Sequence, residues 1–214
     1  MYTLIIGNKN LSSWSLRPWL ALKTTGAAFE EVVVRLDQPE TRASIADHSA
    51  AGKVPVLKIE ENGKTVTIWD SLAICETIAE RHPDTRLWPD DPERRALARS
   101  YAAEMHSSFP DVRQNLSMSF ARTLPTPPLD DATNKQVARI INAWEAALAG
   151  RDDGFLFGRL SIADCMYAPV ASRFITYGIE LPAASAAYVA RMMALPALKE
   201  WRAGAEAELE KGWK

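Results

Sequence analysis

The chain has 214 residues, 47% apolar and 24% charged, with 25 Lys plus Arg against 27 Asp plus Glu for a net charge of −2. That near-balance excludes the basic field that nucleic acid or an anionic membrane surface demands, and no apolar run approaches the ~18 residues of a membrane span. The length allows one large domain or two small ones, either with an adequate core.

In chain order, Tyr2 to Ile6 is a β-prone run ended by Gly7-Asn8, and its first positive charge, Lys9, follows the apolar stretch, so no export signal is expected. Ser15 to Thr25 carries Leu16, Trp19, Leu20 and Leu22 at helical spacing before Gly26 stops it. Glu31 to Leu36 reads as a second strand, parallel to the first because a long crossover separates them. Val54 to Glu60 and Lys64 to Trp69 flank Asn62-Gly63, which predicts a tight antiparallel hairpin, and Ser71 to Arg81 reads as a helix with Ile74, Cys75 and Ile78 on its buried side. The order β-α-β, a short irregular or helical connection, then β-β-α predicts an α/β domain with a small mixed sheet over residues 1–82. The proline-punctuated stretch 83–92 is the expected linker, and 93–214 reads as all-α. There the expected helices are Glu93 to about Leu116, Ala132 to Leu148, Ile162 to Tyr177, Ala183 to Met193 and Ala197 to Leu209. Cys75 and Cys165 are too far apart for a CxxC pair and give no disulfide framework, which suits a reducing cytoplasm; His48, His82 and His106 lack ligand spacing, so no metal is expected.

Three segments of the first domain can carry chemistry. Ser12-Ser13-Trp14-Ser15-Leu16-Arg17 lies where the first strand turns into the first helix, so a serine there either caps the helix or donates to an anion such as a thiolate at its positive end. No histidine sits in that segment to act as a base. Gly52-Lys53-Val54-Pro55 places a proline at a strand start, trans by base rate, or cis with the Val54 backbone groups turned toward a ligand. Trp69-Asp70-Ser71 meets the third helix, where Asp70 either caps it or takes an ammonium while the amides and the Ser71 hydroxyl take a carboxylate.

Together, a hydroxyl at the first helix, Val-Pro before the hairpin and Asp-Ser at the third helix resemble the glutathione-binding domain of cytosolic glutathione transferases, a thioredoxin-like α/β fold followed by an all-α helical domain. The serine segment is similar to the Ser-Ser-Cys-Ser-x-Arg of the zeta class, the maleylacetoacetate isomerases, with Trp14 in place of the cysteine and Asp70 where that class has glutamine. The resemblance implies glutathione as co-substrate, Ser12 as the thiol-activating residue, and Ser13 and Trp14 beside it. It implies that Val54, ahead of a cis Pro55, pairs with the cysteinyl backbone, that Asp70 and Ser71 hold the γ-glutamyl end, and that Lys53 lies near the glycyl carboxylate. Gln114-Asn115-Leu116-Ser117 is similar to a stretch that lines the zeta cleft, and the second substrate is expected between Trp14 and His106, Phe109, Arg113 and Asn115. Ser161-Ile162-Ala163-Asp164 looks like the family's buried capping box, and a homodimer paired through the third and fourth helices is implied.

The expected chemistry is attack of an activated glutathione thiolate on a small electrophile. A free thiol titrates near ~8.5, so lowering by about two units suffices at neutral pH. Should helix one start elsewhere, Ser13 or Ser15 would present the hydroxyl instead. Two other functions fit the same residues: glutathione-dependent isomerisation of a maleyl-type diacid, with Arg17 or Arg173 holding carboxylates, and non-catalytic glutathione binding.

Overall fold

In the computed structural model, which describes residues 1–150 and 154–213, β1 (Tyr2–Gly7), α1 (Ser13–Thr25) and β2 (Phe29–Val34) form the expected parallel crossover unit. Strand β2 starts earlier than the valine-rich run suggests, because its register is set by β1, from Tyr2 opposite Phe29 to Gly7 opposite Val34. After a short α2 (Thr41–Ala46), β3 (Val56–Glu61) and β4 (Lys64–Trp69) pair antiparallel around Asn62 and Gly63. Their φ values of 50° and 71° are the left-handed ones that a two-residue hairpin turn requires. Strand β3 also pairs antiparallel with β1, giving the order β2-β1-β3-β4. Pro55 stands just ahead of β3, where its missing N–H takes no bond from the ladder. Helix α3 (Ser71–Arg81) completes the unit, with Asp70 Oδ1 accepting from the amides of Leu72 at 2.8 Å and Ala73 at 3.3 Å.

A 3-10 turn at Pro83–Thr85 leads into α4 (Pro92–Ser107), α5 (Pro110–Asn115), α6 (Asp131–Leu148), α7 (Ile162–Thr176), α8 (Ala183–Ala194) and α9 (Pro196–Glu210). The single helix expected from Glu93 to about Leu116 is two. Phe109 adopts φ 64° and Pro110 has no N–H to continue the ladder, so α4 ends and α5 begins with that proline in its first turn. Arg113 then folds back over the break: its Nε donates to the Ser108 carbonyl at 3.0 Å and its Nη2 to the carbonyls of Met105 and His106.

Helix α7 is buried along its whole length apart from Ile175 and packs on both α1 and α4. The capping box expected at its start is present: Asp164 Oδ2 accepts from the Ser161 amide at 2.8 Å, and Ser161 accepts from the helix in return. One apolar core runs from Leu4 and Ile6 of β1 through Leu16 and Leu20 of α1 to Met166 and Val170 of α7. A smaller cluster of Ile5, Val34, Ile45 and Val56 packs the opposite face of the sheet.

Candidate active site

The loop between β1 and α1 is tied down from the far end of the chain. Glu208 of α9 accepts from the amides of Lys9 at 2.7 Å and Asn10 at 2.9 Å, Trp201 Nε1 donates to the Lys9 carbonyl at 2.8 Å, and the Phe120 amide donates to the Asn10 carbonyl at 3.0 Å. This fixes where α1 starts, and it starts earlier than the apolar spacing indicated, with Ser12 as its N-cap residue. The Ser12 side chain caps no amide; its hydroxyl donates to Ser15 Oγ at 2.7 Å, and Ser15 Oγ also accepts the Gly7 amide at 3.0 Å. Ser15 is fully buried beneath the helix start, which leaves Ser12 and Ser13 facing the space above it.

That space is a cleft of about 1250 Å³ between the two halves of the molecule. The α/β half lines it with Ser12, Ser13, Trp14, Lys53, Val54, Pro55, Asp70 and Ser71, so the three segments singled out in the sequence converge on one site. The Val54–Pro55 bond is cis. Asp70 takes φ 74° and ψ 131°, a conformation that costs a non-glycine residue about 1–3 kcal/mol and persists here because its carboxylate is held from two sides. Oδ1 caps α3, while Oδ2 lies 3.2 Å from His106 Nε2. Beside it, Ser71 Oγ is buried without a hydrogen-bond partner among the described residues.

From the helical half come His106, Arg113, Ser117, Met118 and Arg173. The histidine that the serine segment lacks is thus supplied across the domain boundary: His106 meets Asp70 and packs edge-on to Trp14 with ring centroids 5.3 Å apart. Burial pushes its pKa down, as do Arg17 and Arg113, while Asp70 opposes them. Its Nδ1 is buried without a hydrogen-bond partner among the described residues. Arg17 is fully buried, and among the described residues its Nε and both Nη atoms have no partner, nor do Arg113 Nη1 and Arg173 Nε and Nη1. Burial first, and then repulsion by Arg113 and Arg173, lowers the pKa of Arg17; burial first, and then Arg113, brings that of Arg173 to about 9, so Arg173 remains a cation at pH 7.

Residues 11–81 match the glutathione S-transferase N-terminal domain family, and residues 128–204 match its C-terminal domain family. The chain belongs to the glutathione S-transferase family of enzymes. Among curated proteins, a probable maleylacetoacetate isomerase of Caenorhabditis elegans is 39% identical over 88 residues, 41% of this chain and 38% of that protein. Maleylacetoacetate isomerase of Rattus norvegicus is 29% identical over 173 residues, 79% of this chain and 76% of that protein. Among solved structures, maleylacetoacetate isomerase of Anaeromyxobacter dehalogenans, with dicarboxyethyl glutathione and citrate bound, matches with TM-score 0.65 and 24% identity over 94% of this chain and 90% of that one. The transferase is thus zeta-like in its relatives as well as in its serine segment.

Two residues expected in the transferase cleft are not there. Phe109 packs into the core, 4% exposed, because the helix break turns its side chain inward. Asn115 faces away and donates through Nδ2 to Thr133 Oγ1 at 2.7 Å. The structure adds Met118 to the lining and stacks Arg17 on Trp14, with the guanidinium 4.2 Å from the ring centroid. The i, i+3 spacing of Trp14 and Arg17 on α1 is the sequence signal that announces this pair.

Proposed function

We propose that the chain binds glutathione along the α/β wall of the cleft and adds its thiolate to a small anionic electrophile held on the helical wall. The observation that carries this reading is a cluster of buried guanidinium groups: Arg113 and Arg173 line the cleft, Arg17 lies behind Trp14, and all three have N–H groups without partners among the described residues. Burying unpaired donors is costly, and an incoming carboxylate offsets that cost by accepting from them. On the other wall, Asp70 Oδ2 lies 3.2 Å from His106 Nε2 and has a lone pair for the ammonium of a γ-glutamyl group, while Ser71 Oγ has no partner among the described residues and can serve its carboxylate. Val54 and Lys53 are suited to the cysteinyl backbone and the glycyl carboxylate.

Thiol activation falls to the start of α1. Lowering a thiol pKa by about two units needs ~2.7 kcal/mol, and a hydroxyl bond to charged sulfur with the helix terminus supplies that order of magnitude. Ser12 gives its hydrogen to Ser15 here, so serving the thiolate requires rotation of its side chain, and Ser13 is the alternative donor. Replacement of Ser12 by alanine is expected to remove most turnover, tenfold or more, to raise the thiol pKa of bound glutathione in an ultraviolet titration, and to change glutathione affinity little. Unchanged turnover assigns the role elsewhere, with Ser13→Ala as the next variant. A bound thiol that titrates at its ordinary pKa in the unaltered protein marks a non-catalytic carrier.

The arginines also favour a second reaction, glutathione-dependent cis–trans isomerisation of a maleyl-type diacid. The thiolate adds to one alkene carbon, the π pair moves into the conjugated carbonyl as an enolate, the new single bond rotates, and expulsion of the thiolate restores glutathione. Turnover with substoichiometric glutathione distinguishes it from net conjugation. We also place the protein in a reducing compartment such as the cytoplasm, since Cys75 and Cys165 are free and buried, and we infer a homodimer through α3 and α4, near which Trp69 and Leu97 are exposed. Sedimentation as a monomer at micromolar concentration overturns the dimer.

A further inference from the structure

We propose that Trp14 is a positioning residue for substrate selectivity: its indole holds Arg17 and Arg113 together beside the cleft, and the preference for acidic electrophiles depends on that ring. This rests on the anionic-electrophile reading above.

Trp14 is 37% exposed and lines the cleft. The Arg17 guanidinium, one turn further along α1, lies 4.2 Å from its ring centroid, and that of Arg113, from α5, lies 4.8 Å away. Neither arginine forms a salt bridge among the described residues. Burial lowers the pKa of both, and repulsion from Arg113 lowers that of Arg17 further. Two cations with one ring as a common neighbour repel each other, and an attraction that both share offsets that repulsion. The indole face supplies it, because its negative quadrupole attracts a cation, more strongly than phenol or phenyl and far more than an aliphatic side chain. His106 packs edge-on to the same ring, so the indole is braced from the helical domain as well.

The consequence falls on Arg113. Its Nε and Nη2 are committed to the carbonyls at the end of α4, leaving Nη1 for a ligand. With the guanidinium plane pinned by those carbonyls and by the ring, Nη1 is pre-oriented, and an arriving carboxylate orders no flexible side chain. A small thiol, such as the zeta-like segment has at this position, provides no face for either cation.

The test measures kcat and KM for maleylacetone and for its methyl ester, a matched charged and neutral pair, in the wild-type enzyme and in Trp14→Tyr, Trp14→Phe and Trp14→Leu. The expected result is a graded rise of KM for the acid, smallest for Tyr and tenfold or more for Leu, with the acid-to-ester ratio of kcat/KM falling in the same order. Should the leucine variant fail to fold, the tyrosine and phenylalanine variants still give the gradient. Equal losses on acid and ester in all variants, or a ratio that survives in the leucine variant, overturn the role of Trp14 and leave the functional reading standing. No acid preference in the wild-type enzyme overturns the anionic reading itself, and this proposal with it.

Discussion

At the start of α7 a buried acid is answered from every side, whereas in the cleft buried bases have open hydrogen-bonding positions. Asp164 is fully buried and accepts from the amides of Leu156 and Ser161 and from the hydroxyls of Ser161 and Tyr188. Burial pushes its pKa up and those bonds push it back down. Arg17 and Arg173 are equally hidden, yet Arg17 has no hydrogen bond among the described residues, and Nε and Nη1 of Arg173 have none. A buried charge whose partners are all built in is an element of the fold; one whose partners are missing is provision for something that arrives later.

The contrast is most easily broken at Asp164. Replacement by alanine strands two amides and two hydroxyls and is expected to cost about 3–5 kcal/mol, a large fraction of the stability of a typical domain, read from urea unfolding. A loss under about 1 kcal/mol would make the acid as dispensable as the arginines are argued to be. Arg173→Met is expected to behave in the opposite way. Without ligand its stability should hold or rise by up to ~1–4 kcal/mol, because an unpaired buried charge is replaced by an apolar chain of similar length. Its kcat/KM for an acidic electrophile should nevertheless fall by about 10–100-fold, the value of a lost charge-assisted hydrogen bond. Unfolding of Arg173→Met to the same extent as Asp164→Ala would place both charges in the same structural class.

A smaller effect sharpens the picture at the join between the two walls. His106 has its folded pKa below the ordinary ~6.5, so it is neutral at pH 7 and takes a proton only as the pH falls under that value. Once charged, it pairs with Asp70 Oδ2 and competes with the ammonium of glutathione. The KM for glutathione is therefore expected to rise as the pH falls below the ordinary histidine range, and His106→Gln, which keeps a donor but cannot be protonated, should flatten that rise. An identical pH profile in the variant would remove His106 from glutathione recognition.

These features differ in how far the sequence discloses them. The Asn62-Gly63 hairpin, the Asp70 cap and the Ser161–Asp164 box are written in neighbouring residues, so local spacing is enough to find them. The Val54–Pro55 segment and the two serines were legible as candidates for the same reason, and α1's earlier start was not, because contacts with Glu208 and Trp201, far along the chain, fix it. Helical periodicity carried the expected fourth helix straight through Phe109, since Pro110 is tolerated at a helix start and gives little warning of a break. That break sends Phe109 and Asn115 away from the cleft and returns Arg113 to it. The arginine cluster, drawn from α1, α5 and α7, is a product of packing with no local signature beyond the spacing of Trp14 and Arg17.

The apolar side chains that join β1, α1 and α7 into one mass have a final consequence for turnover. Both banks of the cleft stand on the same foundation, so changing its width means repacking side chains that both banks share. Reactants then meet two walls built on one core, and selectivity rests on the chemistry those walls carry.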